Sequence, residues 1–216
     1  MNYQDLKARH RAEREGHPLN LSLRLHRALS WLNRAEQLED DADTQFILLW
    51  IAFNAAYATE IDERYRLSEQ AHFREFVGKL VALDTKKRFQ ALVWNEFSGS
   101  IRVLLDNPYV FYDFWSHHRG EIEAAEWLRR FDAAKKAAHQ ALSRMDTETV
   151  LVIALSRIYV LRNQMMHGGA TWNSSVNRDQ VRDCGRLLAK LVPLILEVML
   201  DNPGTLWGDA CFPVIT

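Results

Sequence analysis

Cysteine is scarce in this 216-residue sequence, which contains only Cys184 and Cys211. The two match no metal-binding or redox spacing and therefore suggest a reducing compartment. No apolar run approaches the roughly 20 residues that are needed to cross a bilayer. Residues 1–18 are too polar to contain the apolar segment of a signal peptide. We therefore expect a cytoplasmic protein with no membrane span.

An excess of charge of either sign is also missing, because 27 basic and 28 acidic residues give a formal net charge of −1. This balance provides no overall basic field, so any contact with RNA or DNA would come from a local patch. The sequence also lacks a glycine-rich phosphate loop, a nucleophile elbow and the Cys/His spacing of a zinc site. The hydrophobic content of 48 % is nevertheless sufficient for a buried core.

Helical periodicity runs through almost all of the chain. Leucines recur every three to four residues over 19–39, with arginines mainly on the other faces. The next segment, QFILLWIAFNAAYATEI, is apolar on nearly all sides, as a central helix is. We predict an all-α fold with a polar arm over 1–18 that buries nothing and is either loosely held or a short outer helix, one helical domain over 19–201 and a tail over 202–216. Further helices are predicted over about 68–83, 85–105 with a kink at Gly99, 121–145, 147–167 and 177–200.

Asn54 is the one strongly polar residue inside the central helix. Trp50, Phe53 and Tyr57 lie four, one and three residues away and share its face. A buried asparagine without partners would cost about 1–3 kcal/mol. Its ordinary interpretation is a hydrogen bond to a neighbouring helix, and its functional interpretation is support for a nearby site.

The strongest candidate site lies at the end of the segment TETVLVIALSRIYVLRNQMMHGG. There an apolar helix carries the polar pair Arg162 and Asn163, ends at His167 and continues into two glycines. Histidine can take a proton from a ribose 2′-hydroxyl or give one to a leaving oxygen. Arginine can hold a phosphate and its developing charge. The pair therefore suits metal-independent cleavage of RNA by 2′-hydroxyl attack.

Spacing alone does not support this site, since Arg11 and Arg66 are also followed by a histidine six residues later. The ordinary alternative is a histidine favoured by the helix dipole, together with an arginine in a structural ion pair. Five residues at about 100° each also place the side chains of Arg162 and His167 about 140° apart. We therefore expect them to meet across a seam between two copies of the chain.

The segment LRNQMMHGG, with the upstream helix FILLWIAFNAAY, resembles the HEPN superfamily and, within it, the Apea-like group. The resemblance covers about residues 40–64 and 147–200. The family signature of an arginine, a polar residue and a histidine a few positions later maps onto Arg162, Asn163 and His167.

This resemblance implies a helical bundle in which residues 65–145 form a helical insertion. It implies a homodimer with both motifs in one cleft, acting without a cofactor as an endoribonuclease in toxin–antitoxin, defence or RNA-processing settings. It also allows an antitoxin or defence partner. Because some members have lost catalysis, the alternative function is a non-catalytic module for dimerisation or partner binding.

Two further patterns have weaker functional interpretations. A basic ridge could position phosphates beside the motif, although a solvated helix face is its ordinary interpretation. The ridge consists of four basic residues spaced four apart, Arg178, Arg182, Arg186 and Lys190.

Asp113, His117 and Glu121 have a spacing that metal ligands can use. Because Gly120 interrupts the helix there, we interpret these residues as a polar helix junction and expect no metal.

Overall fold

The computed structural model describes residues 1–38, 40–58, 69–175 and 178–212. Within these ranges the regular elements are helices and there is no β-strand, which confirms the all-α prediction. No helix in the described ranges is long and apolar enough to cross a membrane. The α-helices are α1 (Tyr3–Glu13), α2 (Leu19–Glu36), α3 (Ala42–Tyr57), α4 (Glu69–Leu83), α5 (Arg88–Ala91), α6 (Ser98–Asp106), α7 (Tyr112–His118), α8 (Ala124–Ser143), α9 (Thr147–Met166) and α10 (Arg178–Asp201).

The chain divides into two compact units. The first contains Met1–Leu67, Ala82–Arg88 and Val181–Thr216. The second contains Ser68–Val81 and Phe89–Gln180. The single HEPN-like domain over 19–201, with its insertion over 65–145, stays a prediction.

In the first unit α2 packs along α3, and α1 packs on α2. The leucines that the periodicity of α2 places inside are buried, as are Phe46, Leu49, Trp50 and Phe53 of α3. The expectation that residues 1–18 bury nothing is wrong, because Leu6 and His10 of α1 are buried. Asn2 stabilises the start of α1 through a capping box with Asp5, so this polar segment forms an outer helix.

Arg24 of α2 contradicts the expectation that the arginines lie away from the core, since its side chain is completely buried. Its guanidinium donates hydrogen bonds to the carbonyl oxygens of Ala56 at 2.8 Å, Gly208 at 3.3 Å and Asp209 at 2.7 Å. Arg27 donates in the same way to carbonyl oxygens further along the tail. The described part of the tail is therefore held against α2 by arginine side chains.

In the second unit the predicted helix over 85–105 is not continuous. It consists of α5, a π-helical turn over Leu92–Glu96 and then α6. The break falls at Phe97, just before the predicted kink at Gly99. Within the turn, Trp94 donates a 3.4 Å hydrogen bond to the hydroxyl of Thr147 at the start of α9. A π-helical turn re-aims side chains that a regular helix would point elsewhere, which the periodicity of the sequence does not reveal.

Candidate active site at the end of helix α9

Helix α9 begins and ends where the sequence predicts. The Asp146 carboxylate accepts a hydrogen bond from a first-turn N–H, which caps the start. At the other end the N–H of His167 donates to the Asn163 carbonyl oxygen at 3.0 Å. Gly168 has φ +72°, and the N–H of Gly169 reaches back to the Gln164 carbonyl oxygen at 2.7 Å. These glycines supply the left-handed residue and the backward hydrogen bond that end a helix sharply.

The structure brings Arg162 and Asn163 together. The Arg162 Nη1 donates a 2.9 Å hydrogen bond to the Asn163 Oδ1, while the Arg162 Nε is buried without a hydrogen-bond partner. In the described part of the chain Arg162 has no carboxylate partner. The arginine is therefore half-buried and oriented by an amide, with the rest of its hydrogen-bonding capacity unused.

His167 is exposed at the end of the helix. Within the described ranges its side chain forms no hydrogen bond with Arg162 or Asn163. Because α9 is helical through Met166, the arginine and the histidine lie on different sides of it. Met166, next to the histidine in the sequence, and Trp172, five residues after it, are 51 % and 74 % exposed. His167 is thus accessible to a large ligand, and exposed apolar side chains lie near it in the sequence.

Asn54, the other supporting residue that we predict, belongs to α3 in the first unit and is half-buried. Its neighbours on the helix form an aromatic stack, in which the Phe53 ring lies 5.2 Å from the rings of Trp50 and Tyr57. The carbonyl oxygen of Asn54 accepts the N–H of Ala58 at the end of the helix. This places Asn54 in the last turn of α3, beside packed aromatic rings.

Helix α10, which carries the basic ridge, is amphipathic, as the spacing of the ridge residues predicts. Arg182, Arg186 and Lys190 are exposed on α10, while the leucines opposite them are buried. Arg186 lies 3.6 Å from the Asp183 carboxylate. Arg178, at the start of α10, is half-buried and donates a 3.1 Å hydrogen bond from Nε to the carbonyl oxygen of Ser174. Three of the four cations are thus accessible from solvent.

No protein-family model matches the chain, and no curated protein or solved structure matches it. The resemblance to the HEPN superfamily therefore stays a hypothesis about two segments of the sequence.

The carboxylates and the histidine near α7 are engaged with their surroundings. Asp113 lies 3.4 Å from Arg130, and Glu121 lies 2.6 Å from Arg119. The Nδ1 of His117 lies 3.1 Å from a backbone carbonyl oxygen. Among the described residues there is no group of three or more His, Cys, Asp or Glu side chains that could hold a metal ion. These contacts are those of a polar helix junction.

The sequence pattern does not single out Arg157, which the structure places beside a cavity of about 700 Å³ in the second unit. Arg157 is only 5 % exposed. The available signal is one cation in the middle of the apolar run VLVIALSRIYVL, where a core helix tolerates a charge only for a specific reason.

Proposed function

We propose that this protein is a dimeric, metal-independent endoribonuclease of HEPN type, acting in a toxin, defence or RNA-processing setting. The observation that carries the proposal is the end of α9, where a half-buried arginine, which has no carboxylate partner among the described residues, precedes an exposed histidine. A structural ion pair would instead engage the guanidinium with a carboxylate. An arginine held by an amide stays available for phosphate.

The chemistry follows from the two side chains. His167 takes the proton from a ribose 2′-hydroxyl, whose oxygen then attacks the adjacent phosphorus. The bond from phosphorus to the 5′-oxygen breaks, and His167, now protonated, gives that oxygen its proton. The products are a 2′,3′-cyclic phosphate and a 5′-hydroxyl. Arg162, oriented by Asn163, stabilises the negative charge that develops on the phosphate.

Exposed residues in each unit are of kinds that bind RNA. Trp172, in the second unit, presents an exposed ring on which an unpaired base can stack. Arg182, Arg186 and Lys190 of the basic ridge, in the first unit, can contact phosphates without reading sequence. Each feature by itself fits binding of single-stranded RNA, through the faces of its bases or through its backbone.

The test is cleavage of a mixed RNA pool by the purified protein in EDTA. Wild type should give fragments that end in a 2′,3′-cyclic phosphate. His167→Ala and Arg162→Ala should each reduce the rate by about 100-fold or more, because each removes a group that acts on the transition state. His139→Ala is the matched control, since His139 is an exposed histidine of α8 in the same unit.

Two results would reject the proposal. One is RNA that stays intact with folded, dimeric wild-type protein, which would favour the non-catalytic dimerisation or partner-binding module. The other is cleavage by His167→Ala at the rate of His139→Ala, which would assign the activity to a different site or to a contaminant.

A further inference from the structure

The cavity of about 700 Å³ lies entirely within the second unit. One face of α9 lines it with side chains spaced at helical intervals, and the opposite walls come from α4, α8 and the segment around residues 110–113. Its volume falls within the range of sites for small molecules, which are mostly apolar with a few polar groups. The apolar lining residues include Phe73, Val110, Phe111, Ile153 and Val160.

Arg157 is a buried charged residue in the lining of this cavity. Its guanidinium carbon lies 4.3 Å from the centre of the Phe111 ring and 5.8 Å from that of Phe131. Its Nε is buried with no partner, and no other described residue forms a hydrogen bond or an ion pair with its guanidinium. Burial lowers the pKa of Arg157 to about 10, against the opposing influence of the Asp113 carboxylate, so the group stays charged at neutral pH.

An anion in the cavity would satisfy the buried Nε of Arg157. Aromatic faces stabilise the guanidinium, but they do not satisfy its five N–H donors. A buried donor without an acceptor is strongly unfavourable, and burial makes the charge more so. A ligand oxyanion would satisfy the donors, and a planar carboxylate matches the guanidinium in a bidentate arrangement.

The other charges around the cavity favour a ligand with one negative charge over a ligand with two. Asp113 lines the same cavity and disfavours a second negative charge, although it lies 3.4 Å from Arg130. Arg74 also lines the cavity, but its side chain is mostly exposed and lies 3.9 Å from Glu148. Arg157 is thus the one buried cation that lines the cavity in the described ranges.

We propose that this cavity is a binding site for a small organic monocarboxylate, with its carboxylate on Arg157 and an apolar body of one or two rings between the walls. The site is separate from the residues of the proposed ribonuclease centre, and its test does not depend on RNA cleavage.

The test is calorimetric titration of the whole protein at pH 7 with 2-naphthoate, its neutral isostere 2-naphthamide, and 2-naphthyl phosphate. Wild type should bind one naphthoate per chain and should bind the amide about tenfold or more weakly, because the amide lacks the charge that Arg157 requires. The phosphate should also bind more weakly than the carboxylate. In Arg157→Gln the affinity for naphthoate should fall by about tenfold or more, to within about twofold of that for the amide.

Arg129→Gln is the matched control, because Arg129 lies on α8 in the same unit, is 69 % exposed and pairs only with Glu126 at the surface. It should leave all three affinities unchanged. Equal binding of acid and amide, tighter binding of the phosphate, or an unchanged affinity in Arg157→Gln would each overturn the proposal. So would the absence of saturable naphthoate binding. If circular dichroism shows that Arg157→Gln is unfolded, the proposal is judged on wild type alone, by whether 2-naphthoate binds about tenfold or more tightly than 2-naphthamide.

Discussion

His10 shows how one buried side chain can make stability depend on pH. It is 3 % exposed in α1, its Nε2 lies 3.2 Å from the Ser22 hydroxyl, and its Nδ1 has no partner. Burial, with a smaller effect of the nearby Lys7 ammonium, lowers the pKa of His10 to about 4. The folded state therefore keeps this imidazole neutral under conditions in which an exposed histidine is charged.

We expect acid to destabilise the first unit through His10. In the unfolded chain the histidine binds a proton as the pH falls through about 6.5, whereas the folded state resists protonation until about pH 4. The stabilising contribution is therefore present above pH 6.5 and is lost as the pH falls to 4, by up to about 3 kcal/mol. Urea unfolding at pH 7, 6, 5 and 4 measures this loss. In His10→Gln the free energy of unfolding should fall less between pH 6.5 and pH 4 than it does in wild type. The exposed His118→Gln should not, and equal curves for His10→Gln and wild type would contradict the assignment.

Buried arginines mark the limit of what sequence predicts at the scale of a residue. Leucine spacing correctly places the core face of α2, because apolar side chains are buried wherever a helix packs. Arg24 and Arg157 are buried beside groups that lie far away in the sequence: Arg24 donates to carbonyl oxygens, and Arg157 lies over an aromatic ring. The acceptors of Arg24 lie 32 and more residues away, and the ring of Phe111 lies far from Arg157 in sequence. Helical periodicity contains no information about such partners.

At the scale of the element, the sequence predicts α2, α3, α9 and α10 well because each has a long periodic pattern and identifiable ends. It fails where the pattern depends on local geometry, as at the π-helical turn before α6. Helical spacing beside Trp127 would also favour a core position for Leu128 of α8, although this side chain is 48 % exposed. There Trp127 packs against Phe114 and His117, and the next residue, about 100° further round, points away.

Gly168 determines how α9 ends, and the structure predicts which substitutions it tolerates. Open space surrounds the position of an added Cβ, so the constraint is the φ of +72° rather than crowding. Gly168→Val should destabilise the protein by about 1–2 kcal/mol, because β-branched residues avoid this conformation. Gly168→Asn should lower the free energy of unfolding by less than half of that amount, since asparagine adopts a positive φ more readily than other residues except glycine. Urea unfolding of both variants makes the comparison.

Gly99 provides the control for this pair. It also has open space around an added Cβ, but it lies in α6 without a positive φ. Gly99→Ala should therefore stabilise the protein by about 0.5–1 kcal/mol, as alanine does in helices. Equal losses for Gly168→Val and Gly168→Asn would show that the backbone conformation is not what selects glycine there.

At the scale of the whole molecule, the proposed centre needs a second copy of the chain. Arg162 and His167 lie on different sides of α9 and form no hydrogen bond with each other in the described structure. A two-fold arrangement would let the arginine of one copy and the histidine of the other face one phosphate. The net charge of −1 keeps repulsion between copies weak.

A mixing experiment tests this arrangement directly. Arg162→Ala and His167→Ala homodimers should each be inactive. After subunit exchange about half of the dimers are mixed, and each mixed dimer contains one centre with both native side chains. The mixture should therefore recover about a quarter of the wild-type RNA cleavage rate. A centre built within one chain would recover nothing, because every centre would lack one group. Sedimentation equilibrium on the same samples establishes that exchanged dimers are present, so that a failure to recover activity counts against the shared centre and not against assembly.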